Sequence, residues 1–229
     1  CWRDRLKRRS HDSELAAVED IQHLISVCNA IAFAHSRGIV HCDLKPENVM
    51  LGEYGEVLVL DWGVAIDLQR GTDSEKFHGL RTQSDITGPF GTPSYMSPEL
   101  AEGQAKAINE TTDIYLLGAI LYEVLTGHPP HRGKKLFRVI MSAIESKTPT
   151  FSEAIPDELA DICKKAMKLA ADERFSTVND FKSALESYLQ HRESTLIYQK
   201  AKEIHEQCQR KTKDILTLTE SERGTFYRD

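Results

Sequence analysis

The first part of the chain contains a long stretch in which apolar residues recur at steps of three and four. That spacing places them on one face and predicts an amphipathic helix ending near Gly38. The apolar positions of this helix are Leu15, Val18, Ile21, Leu24, Ile25, Cys28, Ile31 and Ala32. Residues 67–89 are instead polar and rich in Gly, Ser, Thr and Asp, which indicates a long loop. Helical spacing returns at about residues 97–102, 112–126, 134–146, 156–170 and 177–190.

Two short apolar runs without helical spacing lie between the first helix and the polar loop. Val49, Met50 and Leu51 form the first run, and residues 57–60 (Val-Leu-Val-Leu) form the second. A Gly-containing loop joins them at residues 52–55, which predicts an antiparallel β-hairpin. The predicted fold is therefore mainly α-helical with one small β-hairpin.

Polar side chains lie at the open end of this hairpin. Asn48 directly precedes the first strand, and Asp61 directly follows the second. Because the two ends of a hairpin lie side by side, we expect their backbones to be about 5 Å apart. Asp43 reaches the same edge from the preceding loop, and carboxylate and amide oxygens suit a hard cation such as Mg²⁺. A surface hairpin with polar ends is the ordinary alternative, but it does not explain this convergence.

The segment before the hairpin, residues 41–48, reads His-Cys-Asp-Leu-Lys-Pro-Glu-Asn. In-line phosphoryl transfer needs a carboxylate to orient a hydroxyl, an ammonium for phosphate charge and an amide oxygen for a metal. The segment supplies all three. Asp, Pro, Glu and Asn are also common turn residues, so the segment alone is compatible with an ordinary loop.

Five segments in order resemble the motifs of the eukaryotic-type (Hanks-type) protein kinases. Residues 41–48 resemble the catalytic loop, and residues 61–63 (Asp-Trp-Gly) resemble the metal-binding Asp-Phe-Gly. Residues 91–99 resemble the segment that closes the activation loop and usually ends in Ala-Pro-Glu. Residues 113–118 resemble the start of the large central helix, and Arg174 resembles the arginine that pairs with the glutamate of the closing segment.

The resemblance covers roughly residues 10–190, and the sequence of residues 55–63 is similar to that of bacterial Ser/Thr kinases of the planctomycete type. It implies a protein kinase that uses ATP and Mg²⁺ and acts on Ser or Thr of a protein substrate. Asp43 would be the catalytic base, and Lys45 would neutralise charge on the γ-phosphate. Asn48 and Asp61 would hold Mg²⁺, and Thr92 would bridge the base and the lysine.

Other matched residues have structural roles in the family. The resemblance implies that the His41 imidazole bonds to backbone near the metal-binding aspartate. Glu99 and Arg174 would form a buried ion pair that ties the activation segment to the rest of the domain. Asp113 would brace the backbone of the catalytic loop.

Three positions depart from the family pattern. Cys42 stands where many kinases have arginine, and a thiol cannot form the bidentate phosphate contact of a guanidinium. We therefore expect activation not to depend on a loop phosphate held by residue 42. Trp62 replaces phenylalanine and brings an N–H that needs a partner when buried, whereas we expect little consequence from Ser97 in place of alanine. The Ser and Thr residues available for phosphorylation in the loop are Thr72, Ser74, Thr82, Ser84 and Thr87.

The sequence contains neither a G-x-G-x-x-G motif nor a Val-Ala-x-Lys strand ahead of the catalytic loop. In the family, the N-terminal lobe supplies these parts to cover and bind the ATP phosphates. We therefore interpret residues 1–190 as a kinase-like C-terminal lobe that lacks the N-terminal β lobe and is inactive by itself. A complete but degenerate protein is the alternative.

Composition narrows the range of partners. A net charge of −6 does not favour nucleic acid or an anionic membrane. The five cysteines lack regular spacing, which argues against a disulfide framework or a zinc site and suits the reducing cytoplasm. The longest apolar stretch, residues 114–121, is too short for a membrane span. The local basic cluster is predicted to be a solvated helix face, with a preference for acidic substrates as the alternative; it comprises Arg3, Arg5, Lys7, Arg8 and Arg9.

Residues 191–229 are predicted to form a helical extension. Apolar residues there follow a four-three alternation that is interrupted at Lys211 and is too short to establish a coiled coil. We therefore interpret the segment as a helix packed on the lobe or as the first piece of a following helical domain, with a helical partner as a further alternative. Two other functions compete with a protein kinase: a pseudokinase or interaction module without transfer activity, and a small-molecule kinase. Gly63 and the segment at residues 91–99, which holds a peptide in protein kinases, argue against the small-molecule kinase.

Overall fold

The computed structural model describes residues 1–8, 14–68 and 79–226, with the side chains of all of them except residues 14, 15 and 213–226. Helices dominate these residues, as the apolar spacing predicted. The α-helices of the described residues are α1 (Trp2–Arg8), α2 (Glu14–Ser36), α3 (Pro98–Glu102), α4 (Glu110–Thr126), α5 (Leu136–Glu145), α6 (Asp157–Ala166) and α7 (Val178–Phe226). The strands of the same residues are β1 (Ile39–Val40), β2 (Val49–Leu51), β3 (Val57–Val59), β4 (Ile66–Asp67) and β5 (Arg81–Thr82).

The predicted hairpin is present as β2 and β3, which pair antiparallel with Val49 opposite Val59. A second sheet was not predicted: β4 lies between β1, to which it is antiparallel, and β5, to which it is parallel. The predicted hairpin is therefore confirmed but is not the whole of the β structure, and the long loop predicted over residues 67–89 contains β5. The strands of the second sheet are each two residues long, which is too short for an alternation with a period of two to be recognised in the sequence. Thr72 and Ser74 lie outside the described residues.

The core is built around α4, which is buried along most of its length and contacts both α2 and α6. Asn109 caps its first turn by accepting a hydrogen bond from Thr111 N at 2.8 Å, and Gly127 ends it with a positive φ of 79°. A Cβ at Gly118 would lie 2.7 Å from Ala166 Cβ, so the close approach of α4 and α6 requires glycine. Since α4 is fixed on two sides, it is a rigid support for the residues that it presents to the site.

Two compact units divide the chain, at Cys1–Glu186 and Ser187–Asp229. The proposed functional residues all belong to the first unit. In the second unit, Ile197, Tyr198 and Ile204 expose most of their side chains. The division into residues 1–190 and 191–229 stays a prediction from the sequence.

All five cysteines are free thiols, and the prediction that Cys28 belongs to the core is confirmed, since it is fully buried. Within the described ranges, no group of three or more His, Cys, Asp and Glu side chains is arranged to hold a metal ion. The described helices also include none with both the length and the hydropathy needed to cross a bilayer.

The prediction of a solvated basic face is wrong for Arg3. Its guanidinium is only 21% exposed and contacts Glu47, Tyr95 and Glu123. The helix α1 also buries Trp2, whose indole N–H donates to Asp20 at 2.8 Å. A helix of seven residues is too short for its polar pattern to reveal which side packs against the domain. Arg9 lies outside the described residues.

A buried polar network around His131 predicts a pH dependence of stability. The Tyr115 hydroxyl lies 3.1 Å from His131 Nε2 and 2.7 Å from Ser146 Oγ. Burial lowers the pKa of His131 to about 4, although a hydrogen bond with the Met96 backbone opposes this change. An unfolded histidine titrates near a pKa of roughly 6.5, so between these values the unfolded chain binds more protons than the folded one.

Consequently, the free energy of unfolding should fall as the pH is lowered from 7 towards 4, by roughly 2–3 kcal/mol from His131 alone. Urea unfolding followed by circular dichroism at several pH values measures this slope. The slope should flatten in His131→Gln, which cannot titrate. Identical slopes in the two proteins would contradict the assignment.

Candidate active site

Asp113, in the first turn of α4, positions the backbone of the catalytic-loop segment (residues 41–48). Its fully buried carboxylate accepts hydrogen bonds from His41 N at 2.8 Å and Cys42 N at 2.9 Å. His35 Nε2 lies 2.9 Å from the same carboxylate. Burial would raise the pKa of Asp113, but the hydrogen bond and charge of His35, together with the charge and backbone N–H of His41, outweigh burial and lower it. The ionised carboxylate therefore clamps the loop backbone to the central helix.

The His41 side chain links this loop to the end of β3. Its Nδ1 accepts from Asp43 N at 3.2 Å, and its Nε2 lies 3.1 Å from Leu60 O. These partners assign the proton to Nε2. The ring packs against Trp62 with 4.6 Å between centroids, and the indole N–H donates to Val59 O at 3.1 Å, so the N–H has its partner. The imidazole thereby links the backbone of Asp43 to that of Leu60, which directly precedes Asp61.

Asp43, Lys45 and Thr92 form a closed triangle of hydrogen bonds. Asp43 Oδ2 accepts from Lys45 Nζ at 2.7 Å, and Asp43 Oδ1 accepts from the Thr92 hydroxyl at 2.6 Å. Lys45 Nζ also donates to Thr92 Oγ1 at 2.5 Å. Asp43 is buried in this arrangement. The carboxylate and the ammonium are thus held side by side, with the threonine hydroxyl between them.

Asn48 is oriented by the same aspartate. Its Nδ2 donates to Asp43 O at 2.9 Å and lies 3.3 Å from Asp43 Oδ2. Because the amide nitrogen is engaged with Asp43, the amide oxygen is directed away from it. Leu60 N donates to Asn48 O at 2.8 Å, so Leu60 is the residue opposite Asn48 and Asp61 comes one position later. The expected pairing of Asn48 with Asp61 is therefore displaced by one residue.

The chain turns sharply at Asp61, where φ is +61°, and the residue is exposed. A Cβ at Gly63 would lie 3.2 Å from Asp61 Oδ1, so glycine leaves room for this carboxylate. One amide oxygen and one carboxylate are hard oxygen donors of the kind that Mg²⁺ accepts. These donors fit Mg²⁺ when phosphate oxygens and water complete its coordination.

A strip of exposed apolar side chains on the hairpin was missed from the sequence. Met50 and Leu58 are directly opposite each other across the strands, and Leu60 follows on the same face. The side chains of all three are exposed, and the strands that carry them lie beside the polar residues of the site. The signal was available, because both strands are apolar at successive positions rather than alternating. Such a pattern indicates a strand that is covered on both faces.

Glu99 and Arg174, 75 residues apart, form a bidentate ion pair with distances of 2.8 and 3.0 Å. The Glu99 side chain is 7% exposed and that of Arg174 is fully buried. Burial would raise the pKa of Glu99, but the hydrogen bonds from Arg174 reverse this and lower it. The guanidinium also donates to the backbone carbonyls of Thr111, Lys168 and Leu169. Residues 91–99 are thereby tied to α4 and to the segment before α7.

Cys42 is buried and has a positive φ of 65°. Burial, with the nearby carboxylates of Asp113, Glu99 and Asp43, raises its pKa well above the usual thiol value. The thiol is therefore neutral and is not a nucleophile. Among the hydroxyls available for phosphorylation, that of Thr82 belongs to a capping box with Asp85, to which it donates a hydrogen bond at 2.8 Å.

Comparison of the sequence with known proteins relates the chain to one family. The model of the protein kinase domain matches residues 2–192. The chain is 40% identical over 180 residues to the serine/threonine-protein kinase PknD of Protochlamydia amoebophila, which covers 73% of this chain and 18% of that protein. It is 40% identical over 181 residues to PknD of Chlamydia muridarum and 36% identical over 178 residues to PknD of Chlamydia felis. Those matches cover 72% of this chain and 19% and 18% of the relatives.

The chain thus spans about a fifth of the length of these curated relatives. The match of the domain model extends over most of the chain and includes every site residue described above. The chain belongs to the protein kinase family.

Proposed function

We propose that the full-length protein is a serine/threonine protein kinase that transfers the γ-phosphate of ATP to a Ser or Thr hydroxyl, using Mg²⁺. The observation that carries this proposal is the triangle of Asp43, Lys45 and Thr92, which contacts Asn48 through Asp43. Asp61 directly follows Leu60, the residue opposite Asn48. The triangle offers a carboxylate for a hydroxyl and an ammonium for a phosphate within one hydrogen-bond length of each other. Phosphoryl transfer relies on this kind of positioning and charge stabilisation.

Asp43 has room for a substrate hydroxyl beside Lys45, Thr92 and Asn48, because a carboxylate accepts about four hydrogen bonds. The hydroxyl donates to Asp43 and its oxygen faces the γ-phosphorus. As that oxygen bonds to phosphorus, the bond from phosphorus to the bridging oxygen of ADP breaks. The hydroxyl proton passes to Asp43, and ADP leaves with the bonding electrons. Lys45 neutralises charge on the transferred phosphoryl group.

Asn48 Oδ1 and the Asp61 carboxylate would hold Mg²⁺, which when bound neutralises the charge of the phosphate oxygens. The exposed side chains of Met50, Leu58 and Leu60 suit the flat apolar face of the adenine base, since they lie on the same hairpin as both ligands. ATP then lies along the hairpin with its phosphates directed towards Lys45.

The segment at residues 91–99 supports a protein substrate over a small molecule. It contributes Thr92 to the triangle at one end and is tied to the domain through Glu99 at the other. A segment fixed at both ends is a platform beside the catalytic carboxylate on which an extended peptide can lie. The preference for Ser and Thr is supported by the residues around Lys45, which resemble the Ser/Thr branch, and by the names of the relatives.

The organisation of the whole protein is also a proposal. We infer that residues 1–190 are the C-terminal lobe of a kinase domain, that they do not transfer phosphate by themselves, and that they lie in the cytoplasm, with membrane anchoring of the full-length protein as the open alternative. The exposed Ile197 and Ile204 support a helical partner for residues 191–229. Sedimentation velocity over a range of concentrations tests self-association through that segment.

The decisive experiment incubates the full-length protein with γ-labelled ATP and a generic protein substrate, followed by phosphoamino acid analysis. We expect label on serine and threonine, its loss on chelation of Mg²⁺ and its return when Mg²⁺ is restored. A protein that binds ATP but transfers no phosphate under any of these conditions would be the pseudokinase alternative. Label on a small-molecule acceptor instead of protein would contradict the assigned substrate class.

A further inference from the structure

Arg3 of α1 is held by side chains from three other segments. Its guanidinium donates from Nη1 to Tyr95 Oη at 2.8 Å and to Glu123, and its Nε lies 3.2 Å from Glu47 Oε1. The Tyr95 hydroxyl in turn donates to Glu123. A single guanidinium therefore bridges two carboxylates, one from the catalytic-loop segment and one from α4.

This cluster lies beside the proposed catalytic group. Glu47 follows Lys45 by two residues and Tyr95 follows Thr92 by three, with Tyr95 N donating to Thr92 O at 3.0 Å. Since each residue advances the chain by at most about 3.6 Å, both side chains arise within roughly 7–11 Å of the triangle. An extended peptide that places its hydroxyl at Asp43 covers that distance in two or three residues.

The two carboxylates need a cation. Glu123 is 4% exposed, whereas Glu47 is 40% exposed, so the pair reaches from the interior to the surface. A buried carboxylate without a counter-charge is unfavourable, and two carboxylates around one space attract a guanidinium or an ammonium. Arg3 supplies that charge from within the chain. Its removal would leave an acidic site open to a cation from outside.

We propose that Arg3 is a specificity-determining residue that occupies an acidic pair, Glu47 and Glu123, and so prevents a basic side chain of the substrate from binding there. The proposal rests on the proposed kinase function, because it assigns the neighbouring surface to the peptide. In the wild-type protein, a basic residue two or three positions from the acceptor therefore does not increase the kcat/KM for a peptide. Without the arginine, such a residue fills the place of the guanidinium.

The test uses the full-length protein and a set of serine peptides in which one arginine is moved through the positions on either side of the serine. Each has a partner with glutamine at the same place. Wild-type protein should show kcat/KM ratios near unity for every pair. Arg3→Gln should favour arginine at one position by about tenfold, and Arg3→Gln with Glu47→Gln should lose most of that preference.

Arg5→Gln is the matched control, because it removes the same charge from the same helix. Arg5 pairs with Glu19 and Asp20 instead, and its peptide ratios should equal those of the wild type. Arg3→Lys keeps a cation in place and should retain the wild-type ratios, whereas Arg3→Met also removes the charge, should show the same arginine preference and replaces Arg3→Gln if that variant does not fold. Unchanged ratios in a folded Arg3→Gln would overturn the proposal, as would a tenfold arginine preference in the wild type.

Peptide dissociation constants from fluorescence anisotropy provide a second readout that needs no turnover. If no variant transfers phosphate, the proposed function fails while the arginine-to-glutamine ratio of dissociation constants still tests Arg3. A ratio that shifts only in Arg3→Gln supports the role of Arg3. A ratio that shifts in neither variant, or equally in Arg3→Gln and Arg5→Gln, contradicts it.

Discussion

Asp43→Asn in the full-length protein will lower kcat for phosphoryl transfer by about 10²- to 10⁴-fold, with a much smaller change in KM for ATP. An amide cannot take the hydroxyl proton. It also turns an N–H donor towards Lys45 or Thr92, both of which donate to Asp43 in the wild type. The variant therefore loses the base and the alignment of the lysine while the residues assigned to Mg²⁺ are kept.

The control for this experiment is Asp161→Asn, the same chemical change at an exposed position of α6 where the partner is Lys164. Its kcat should match the wild type. Thermal melts of both variants show whether the fold is retained. An Asp43→Asn protein that is folded and transfers phosphate within a few-fold of the wild-type rate would remove Asp43 from the mechanism.

Arg174→Met will lower the free energy of unfolding by about 3–5 kcal/mol. The substitution removes the guanidinium and leaves Glu99 as a buried carboxylate without its cation. The three backbone carbonyls that accept from Arg174 also lose their donor. Urea unfolding at neutral pH, followed by circular dichroism, measures the difference.

Two further variants separate the ion pair from general disruption. Glu173→Gln changes the neighbouring residue, whose contact with Lys168 at 3.5 Å is exposed, and should cost about 0–1 kcal/mol. Glu99→Gln combined with Arg174→Met removes both charges and should recover part of the lost stability, because no buried charge is left unpaired. A double variant no more stable than Arg174→Met would show that packing, not charge, dominates this site.

Much of the local structure could be predicted because its causes lie close together in the chain. The hairpin follows from two apolar runs and a glycine-containing loop, and α4 from its apolar stretch and the glycine that ends it. The register at the hairpin end was less secure. The displacement of Asp61 by one position follows from the pairing of Leu51 with Val57, which the loop between the strands sets and the apolar runs do not reveal.

The contacts of the site are a different matter, because they join residues that are distant in sequence. The pairing of Glu99 with Arg174, and the place of Thr92 beside Asp43, were expected only through resemblance to a family. Nothing in composition or spacing leads to either contact. The same limit explains why Arg3 was placed on a solvated face: its carboxylate partner Glu123 is 120 residues away, and no motif marks it.

By itself, the sequence determined the helical class, the hairpin and the set of residues suited to phosphoryl transfer, because periodicity, turn residues and motif order are local properties. The tertiary structure alone decided which of those side chains touch and which charges are neutralised. Packing around α4 brings the catalytic-loop segment, residues 91–99 and α1 to one place. Burial there makes each carboxylate depend on a specific partner, and that dependence is a property of the folded neighbourhood.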